Sequence, residues 1–263
     1  MAVRRDPRLM ELGAFLRARR GAIRPDSAGL PAPEARRQVA GMRREEVAEL
    51  AFVSLEHYTR IEQGRVPPSK DVLDRLSSVL RFTEDEDRYA RQLLAGAGFR
   101  PSPAPALPEA GGPIMRLLHR LVDIPAVVIG PQTAILAWND AAARLFLDFA
   151  QIPVAERTFV ELLFTNELFQ SRFGDLPAMQ RLVVGILRST STDELSGDMY
   201  SEHLQRLLGT GTDFHAIWHQ FDVSQPHGIP ALPLHHPETG DIVVDEITLL
   251  FDDPSQRLLL FVQ

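Results

Sequence analysis

REEVAELAFVSLEHYTRI, from Arg44 to Ile61, is the stretch that decides how the N-terminal part of this chain folds. Val47 and Ala51 recur at helical spacing and share one face of a first helix, and Tyr58 and Ile61 do the same for a second. Only Phe52 and Val53 separate Ala51 from Ser54, which is a good N-cap for the second helix. Ala48 stands where two closely crossing helices leave no room for a larger side chain. An ordinary helical hairpin needs similar apolar spacing. The small residue, the short break and the cap taken together predict a helix-turn-helix, the motif whose second helix enters the DNA major groove.

Upstream, Leu9 to Arg20 reads as a helix with Leu12, Phe15 and Leu16 on one face. Residues 21–41 are rich in Gly, Pro and Ala and carry Arg24, Arg36 and Arg37. A loop that lays arginines along phosphates and a disordered insert are equal readings of that segment. Downstream, helices are expected over Arg43 to Ala51 and Leu55 to Gln63, with Gly64 as a stop. Val66-Pro67-Pro68-Ser69 is a turn, and Ser69 caps a fourth helix bearing Val72, Leu73, Leu76, Val79 and Leu80. Thr83 opens a fifth, with Glu84, Asp85 and Glu86 where the macrodipole favours acids, and it ends near Gly96.

Charge follows the same division. The net charge is −7, yet residues 1–65 hold 13 arginines against 9 acids, while residues 101–263 hold 9 arginines against 20 acids. A basic head on an acidic body fits a partner that is nucleic acid at one end only. Within the head, Tyr58 and Ile61 point inward, which leaves Leu55, Glu56, His57, Thr59 and Arg60 to face base edges. Arg60 suits a guanine, Glu56 a cytosine amino group and Leu55 a thymine methyl. Arg43, Arg44 and Ser54 are expected at phosphates, and Glu62 inside the head. One head reads a short half-site, so a homodimer on a palindromic double-stranded operator is expected, with half-sites about 34 Å apart or a multiple.

The 263 residues suffice for two cores, and 44% apolar with 24% charged residues is ordinary for a globular protein. No apolar run approaches the ~18 residues of a membrane span. MAVRRDPRLMELG has no hydrophobic signal core and there is no cysteine, so a cytoplasmic location is expected. Residues 97–113, AGFRPSPAPALPEAGGP, hold five prolines and read as a linker. The division is a head over 1–97, a linker over 98–113 and a body over 114–263. In the body, Ala126 to Ile129 and Thr133 to Trp138 read as strands turning at Gly130-Pro131. Helical patterns follow near Asp140–Asp148, Ala155–Leu168, Leu176–Ser189, Tyr200–Leu208 and Asp213–Gln220, then strands at Ile229–Leu234, Asp241–Phe251 and Arg257–Val262. The fold class is multi-domain: an all-α five-helix helix-turn-helix head, then an α+β domain with an antiparallel sheet. Strands, helices and strands in that order resemble a PAS-type sensor.

Two blocks carry a closer resemblance: GMRREEVAELAFVSLEHYTRIEQG from Gly41 to Gly64, and HPETGDIVVDEITLLFDDPSQRLLLF from His236 to Phe261. AWN at Ala137–Asn139 and IWHQFDV at Ile217–Val223 lie between them at matching order. The head resembles Xre-type repressors, and the whole chain is similar to the MmyB-like transcription regulators. That resemblance implies a DNA-binding head and a PAS-related module for an apolar small molecule, with a fatty acid as the expected class, and no enzyme activity. Three positions depart from the family pattern. Phe52 occupies the usual glycine of the turn and predicts a looser turn. Phe221 replaces a histidine before Asp-Val, and Glu246-Ile247 replaces a Tyr-Glu pair.

No cofactor is expected beyond that apolar effector. Its site is expected among Trp138, Asn139, Phe146, Phe164, Trp218, His219 and His236, with Asn139, His219 and His236 as polar anchors. Burying about ten methylenes gains roughly 8 kcal/mol before binding costs. Two other readings of the body stay open: a hydrolase of acyl substrates using His219 and Asp222, or a protein-interaction platform with no small ligand. No metal site is expected. His215 and His219 form an i, i+4 pair, but Ala216 stands where a zinc protease needs glutamate. Walker, G-x-G-x-x-G and G-x-S-x-G patterns are absent, so no catalytic residue is assigned.

Overall fold

The computed structural model describes residues 6–23, 41–98, 109–192, 202–209, 213–253 and 255–263. The chain falls into two compact units, Met1–Ser102 with Thr192–Gln205, and Pro103–Ser191 with Arg206–Gln263. Most of the arginine-bearing loop over 21–41 and most of the expected linker lie outside the described residues.

The first unit holds α1 (Pro7–Ala22), α2 (Arg44–Leu50), α3 (Leu55–Glu62), α4 (Lys70–Val79) and α5 (Glu84–Gly96). Side-chain oxygens cap four of the five: Asp6, Ser54, Ser69 and Thr83 each accept a first-turn N–H. At the start of α2 the Glu46 carboxylate accepts the Arg43 N–H instead, at 2.7 Å. Leu12, Phe15 and Leu16 of α1, with Val47, Tyr58, Ile61, Leu73 and Leu93 of the other helices, are all buried and form the apolar core of this unit. The Tyr89 ring meets Phe15 edge-on at 5.4 Å, and its hydroxyl donates to Glu11 at 2.9 Å. Helices α1 and α3 approach closely because two glycines permit it. A Cβ on Gly13 would stand 2.5 Å from the Glu62 carbonyl, and one on Gly64, at φ +63°, 2.7 Å from Met10 Cα.

The second unit is built on a five-stranded antiparallel sheet in the order β2-β1-β5-β4-β3. The strands are β1 (Ala126–Ile129), β2 (Ile135–Trp138), β3 (Ile229–His236), β4 (Gly240–Leu250) and β5 (Arg257–Val262). Helix α6 (Gly112–Arg120) covers one face, where Leu118 packs with Ala126, Val128, Ala137 and Leu258. The sequence does not announce this helix. Gly111-Gly112-Pro113 reads as the tail of a linker, yet Pro113 is well placed in a first helical turn, and Ile114, Met115 and Leu118 form a stripe.

The other face receives α7 (Asp140–Leu145), α8 (Phe159–Thr165), α9 (Glu167–Gln170) and α10 (Leu176–Thr190); later in the chain come α11 (Glu202–Gly209), and α12 (Asp213–Trp218), which packs on α10. The single helix expected over 155–168 is divided. Thr158 caps α8, and Asn166 ends it and caps α9 by accepting the Phe169 N–H at 2.9 Å. Phe146, Phe149, Phe169, Phe173 and Phe261 interlock against this side of the sheet, with neighbouring centroids such as Phe146–Phe261 at 5.0 Å. Register then decides which β4 and β5 residues share that side. Glu246 pairs with Phe261, Thr248 with Leu259 and Leu250 with Arg257, so alternate residues of both strands form one surface.

Candidate functional site

Helix α3 presents the expected reading face. Glu56 and Arg60 are exposed, Leu55 is 43% exposed, and His57 and Thr59 are half-buried, while Tyr58 and Ile61 are buried. Ser54 is exposed at the start of the helix, where its hydroxyl accepts the His57 N–H at 3.2 Å, and Arg43, at the start of α2, is exposed as well. The turn before α3 closes as a glycine would close it, contrary to the looser turn expected from Phe52. Phe52 adopts φ +53°, and Val53 N–H reaches the Ala48 carbonyl at 3.0 Å. The ring itself is 84% exposed.

Arg44, expected at a phosphate, is committed within the head. Its Nε and Nη2 donate to the Glu62 carboxylate at 2.9 and 2.7 Å. Arg20 grips the same carboxylate from the other side at 2.8 and 3.1 Å and donates to the Met42 carbonyl at 2.7 Å. Burial pushes the Glu62 carboxyl up. Hydrogen bonds and charge from Arg20 and Arg44 pull harder, and the group ends below its ordinary 4.5. Glu62 thereby ties α1, α2 and α3 together under the reading face.

The second unit holds a cavity of about 50 Å³ between α10 and the sheet, which widens to about 530 Å³ of empty space when its open mouth is counted. Its walls are apolar: Phe159 and Phe173 at one side, Met179, Leu182 and Ile186 from α10, and Leu232, Leu259 and Phe261 from the sheet. Five polar side chains interrupt them: Thr133, His227, Glu246, Thr248 and Arg257. Glu246 is only 6% exposed, and the Thr248 hydroxyl donates to it at 2.8 Å. Burial raises its carboxyl above the ordinary range, against the pull of Thr248, Arg257, the Ile229 N–H and His227. Burial likewise pushes the Arg257 guanidinium down to about 10, with Glu246 acting the other way.

The seven residues expected around the ligand lie elsewhere; the described lining of the cavity includes none of them. Asn139 is a structural hub rather than an anchor. Its Oδ1 accepts from Ala126 N and Ala142 N at 3.0 and 2.9 Å, and its Nδ2 donates to the Leu121 and Ile124 carbonyls. Phe146 is at the centre of the aromatic cluster, and Phe164 meets Phe214 edge-on at 5.3 Å. Trp218 stacks on Phe214 and carries the Arg188 guanidinium 3.9 Å above its ring. Trp138 lines a separate open groove with Met115 and Arg157. His219 is exposed beside His215, their Nε2 atoms 3.1 Å apart, and Asp222 is exposed. His236 caps a turn, its Nδ1 accepting the Glu238 and Thr239 N–H groups. Among the described residues, no cluster of three His, Cys, Asp or Glu side chains is arranged for a metal, and no helix is long and apolar enough to cross a membrane.

Residues 112–263, more than half of the chain, match the family described as MmyB-like transcription regulator ligand binding domain. The chain belongs to this family. Residues 11–89 match a helix-turn-helix domain. No curated protein matches the chain. This MmyB-like protein is thus a transcription regulator that joins a DNA-binding helix-turn-helix domain to a ligand-binding domain. Its cavity draws on Arg257, Glu246 and Thr248, which sequence reasoning did not select. The available signal was parity: Glu246 and Thr248 share one side of their strand with Val244 and Leu250, and Arg257 shares one side of its strand with Leu259 and Phe261.

Proposed function

We propose that this MmyB-like regulator binds a palindromic operator as a homodimer and that an apolar small molecule of the fatty-acid class occupies the cavity between α10 and the sheet. The observation that carries the ligand half is the lining: aromatic and branched aliphatic walls with a few polar groups, the composition of a small-molecule pocket. An acyl chain that buries about ten methylenes gains roughly 8 kcal/mol before the costs of association. On the DNA side, Arg60 and Glu56 at the exposed face of α3 supply side chains suited to base edges, and Arg43 and Ser54 supply phosphate contacts.

The deciding experiment is denaturation and organic extraction of the purified full-length protein, followed by mass spectrometry, with native mass spectrometry alongside. A stoichiometric lipid in the extract, matched by a mass excess on the folded protein, is the expected result. A clean extract, together with no binding of added medium-chain fatty acids to the protein, overturns the ligand reading. Effector and operator then share a coupling energy of ~1–3 kcal/mol, so saturating ligand changes operator affinity about 5- to 150-fold.

A further inference from the structure

We propose that Arg257 is the anchor for an anionic headgroup, so that the cavity selects an aliphatic carboxylate over the neutral ester or alcohol of the same chain length. The inference rests on the ligand-binding reading given above and adds to it the chemistry of the ligand's polar end.

Three observations on the sheet carry it. First, Arg257 opens β5 between Ile129 of β1 and Leu250 of β4, on the side that also presents Leu259 and Phe261 to the cavity. A cation at that position is only partly exposed to water and stands among largely apolar walls. Second, among the described residues its guanidinium has no hydrogen bond and no ion pair, although it presents five N–H donors. Third, the acid that acts on it, Glu246, does so through charge without a hydrogen bond or ion pair to it. Glu246 pairs with Phe261, four residues along β5 from Arg257, which separates the two backbones by roughly 14 Å at strand rise. Glu246 is also engaged locally by the Thr248 hydroxyl at 2.8 Å. The floor of the cavity therefore carries one satisfied acid and one cation without a bonded partner.

An unpaired cation in such a place is costly, and the cost is removed by an anion of the right shape. A carboxylate matches the planar guanidinium fork with two parallel N–H···O bonds, which a neutral ester or an alcohol does not reproduce. The chain attached to that carboxylate then runs along Leu259 and Phe261 under α10, where Met179 and Ile186 complete the wall.

The test uses full-length protein stripped of lipid and titrated by calorimetry with decanoate, methyl decanoate and decanol. Wild type is expected to bind decanoate at least tenfold more tightly than either neutral ligand. In Arg257→Met the decanoate affinity is expected to fall by at least tenfold while methyl decanoate binds as before, which also shows that the variant is folded. Arg257→Lys is expected to recover part of the preference. Equal binding of acid and ester by wild type overturns the anchor and leaves the ligand-binding reading standing. So does an Arg257→Met protein that keeps the preference for acid. If wild type binds none of the three, the ligand-binding reading falls and the anchor falls with it. Should Arg257→Met fail to fold, the wild-type ratio of acid to ester still decides.

Discussion

Glu62 concentrates the stability of the DNA-binding unit in one carboxylate. Its partners Arg20 and Arg44 come from two other helices, and its side chain is 1% exposed. Replacing it with glutamine leaves Arg20 buried without its counter-charge. Glu62→Gln is expected to cost about 3 kcal/mol in chemical denaturation, in line with other broken buried pairs. Because the folded carboxyl lies below its ordinary 4.5, its contribution is complete above that pH and is lost as pH falls through the lower folded value. An acid titration of wild type and Glu62→Gln should therefore converge at low pH. Phe52 works in the opposite sense. A non-glycine residue at φ +53° is strained, and an exposed ring gains nothing from packing to offset it. Phe52→Gly is expected to raise stability by roughly 1 kcal/mol, measured by the same denaturation. Arg60 has no comparable structural duty described, and it is exposed. Arg60→Ala is expected to leave the melting curve unchanged and to weaken operator binding by about 1–3 kcal/mol, with relaxed preference at one base pair in a selection assay.

Among elements, α6 and the β1–β2 hairpin are held in place by Asn139. Its four hydrogen bonds join the chain before β1, the start of β1 and the first turn of α7. Asn139→Ala is expected to lower the stability of the second unit by about 2–3 kcal/mol through unsatisfied buried groups, while affinity for a cavity ligand stays the same. That pairing of readouts separates a scaffold residue from a ligand anchor. The same element shows where sequence was informative and where it was not. Helix-turn-helix spacing around Val47, Tyr58 and Ile61, the caps at Ser54, Ser69 and Thr83, and the alternating strands near the C-terminal end were all legible, because each is a local pattern. In sequence, Asn139 reads as a ligand anchor and not as a hub, since its partners at residues 121 and 124 are set by tertiary packing. Helix α6 was hidden by its own glycines. The residues expected around a ligand lie away from this cavity for a related reason. Large aromatics such as Phe146 and Trp218 mark core and cavity equally well, and only register assigns Arg257 to the cavity side.

At the scale of the whole molecule, the proposed homodimer predicts how affinity responds to salt. Two heads making about 6–10 phosphate contacts should give a log–log slope near −0.9 per contact, steepest for palindromic sites with half-sites one helical turn apart. A monomeric complex would halve the slope and show no dependence on spacing. The body contributes the regulated half, and its strand order sets when it becomes competent. In β2-β1-β5-β4-β3 the central strand is the last of the five to be synthesised, and it arrives bearing Arg257, Leu259 and Phe261. Until the ribosome has delivered it, the first hairpin and the last one have nothing between them. A nascent chain truncated before residue 257 would keep its DNA-binding head intact yet be deaf to effector, so a premature stop in this region should yield a constitutive, ligand-blind allele rather than a simple loss of function.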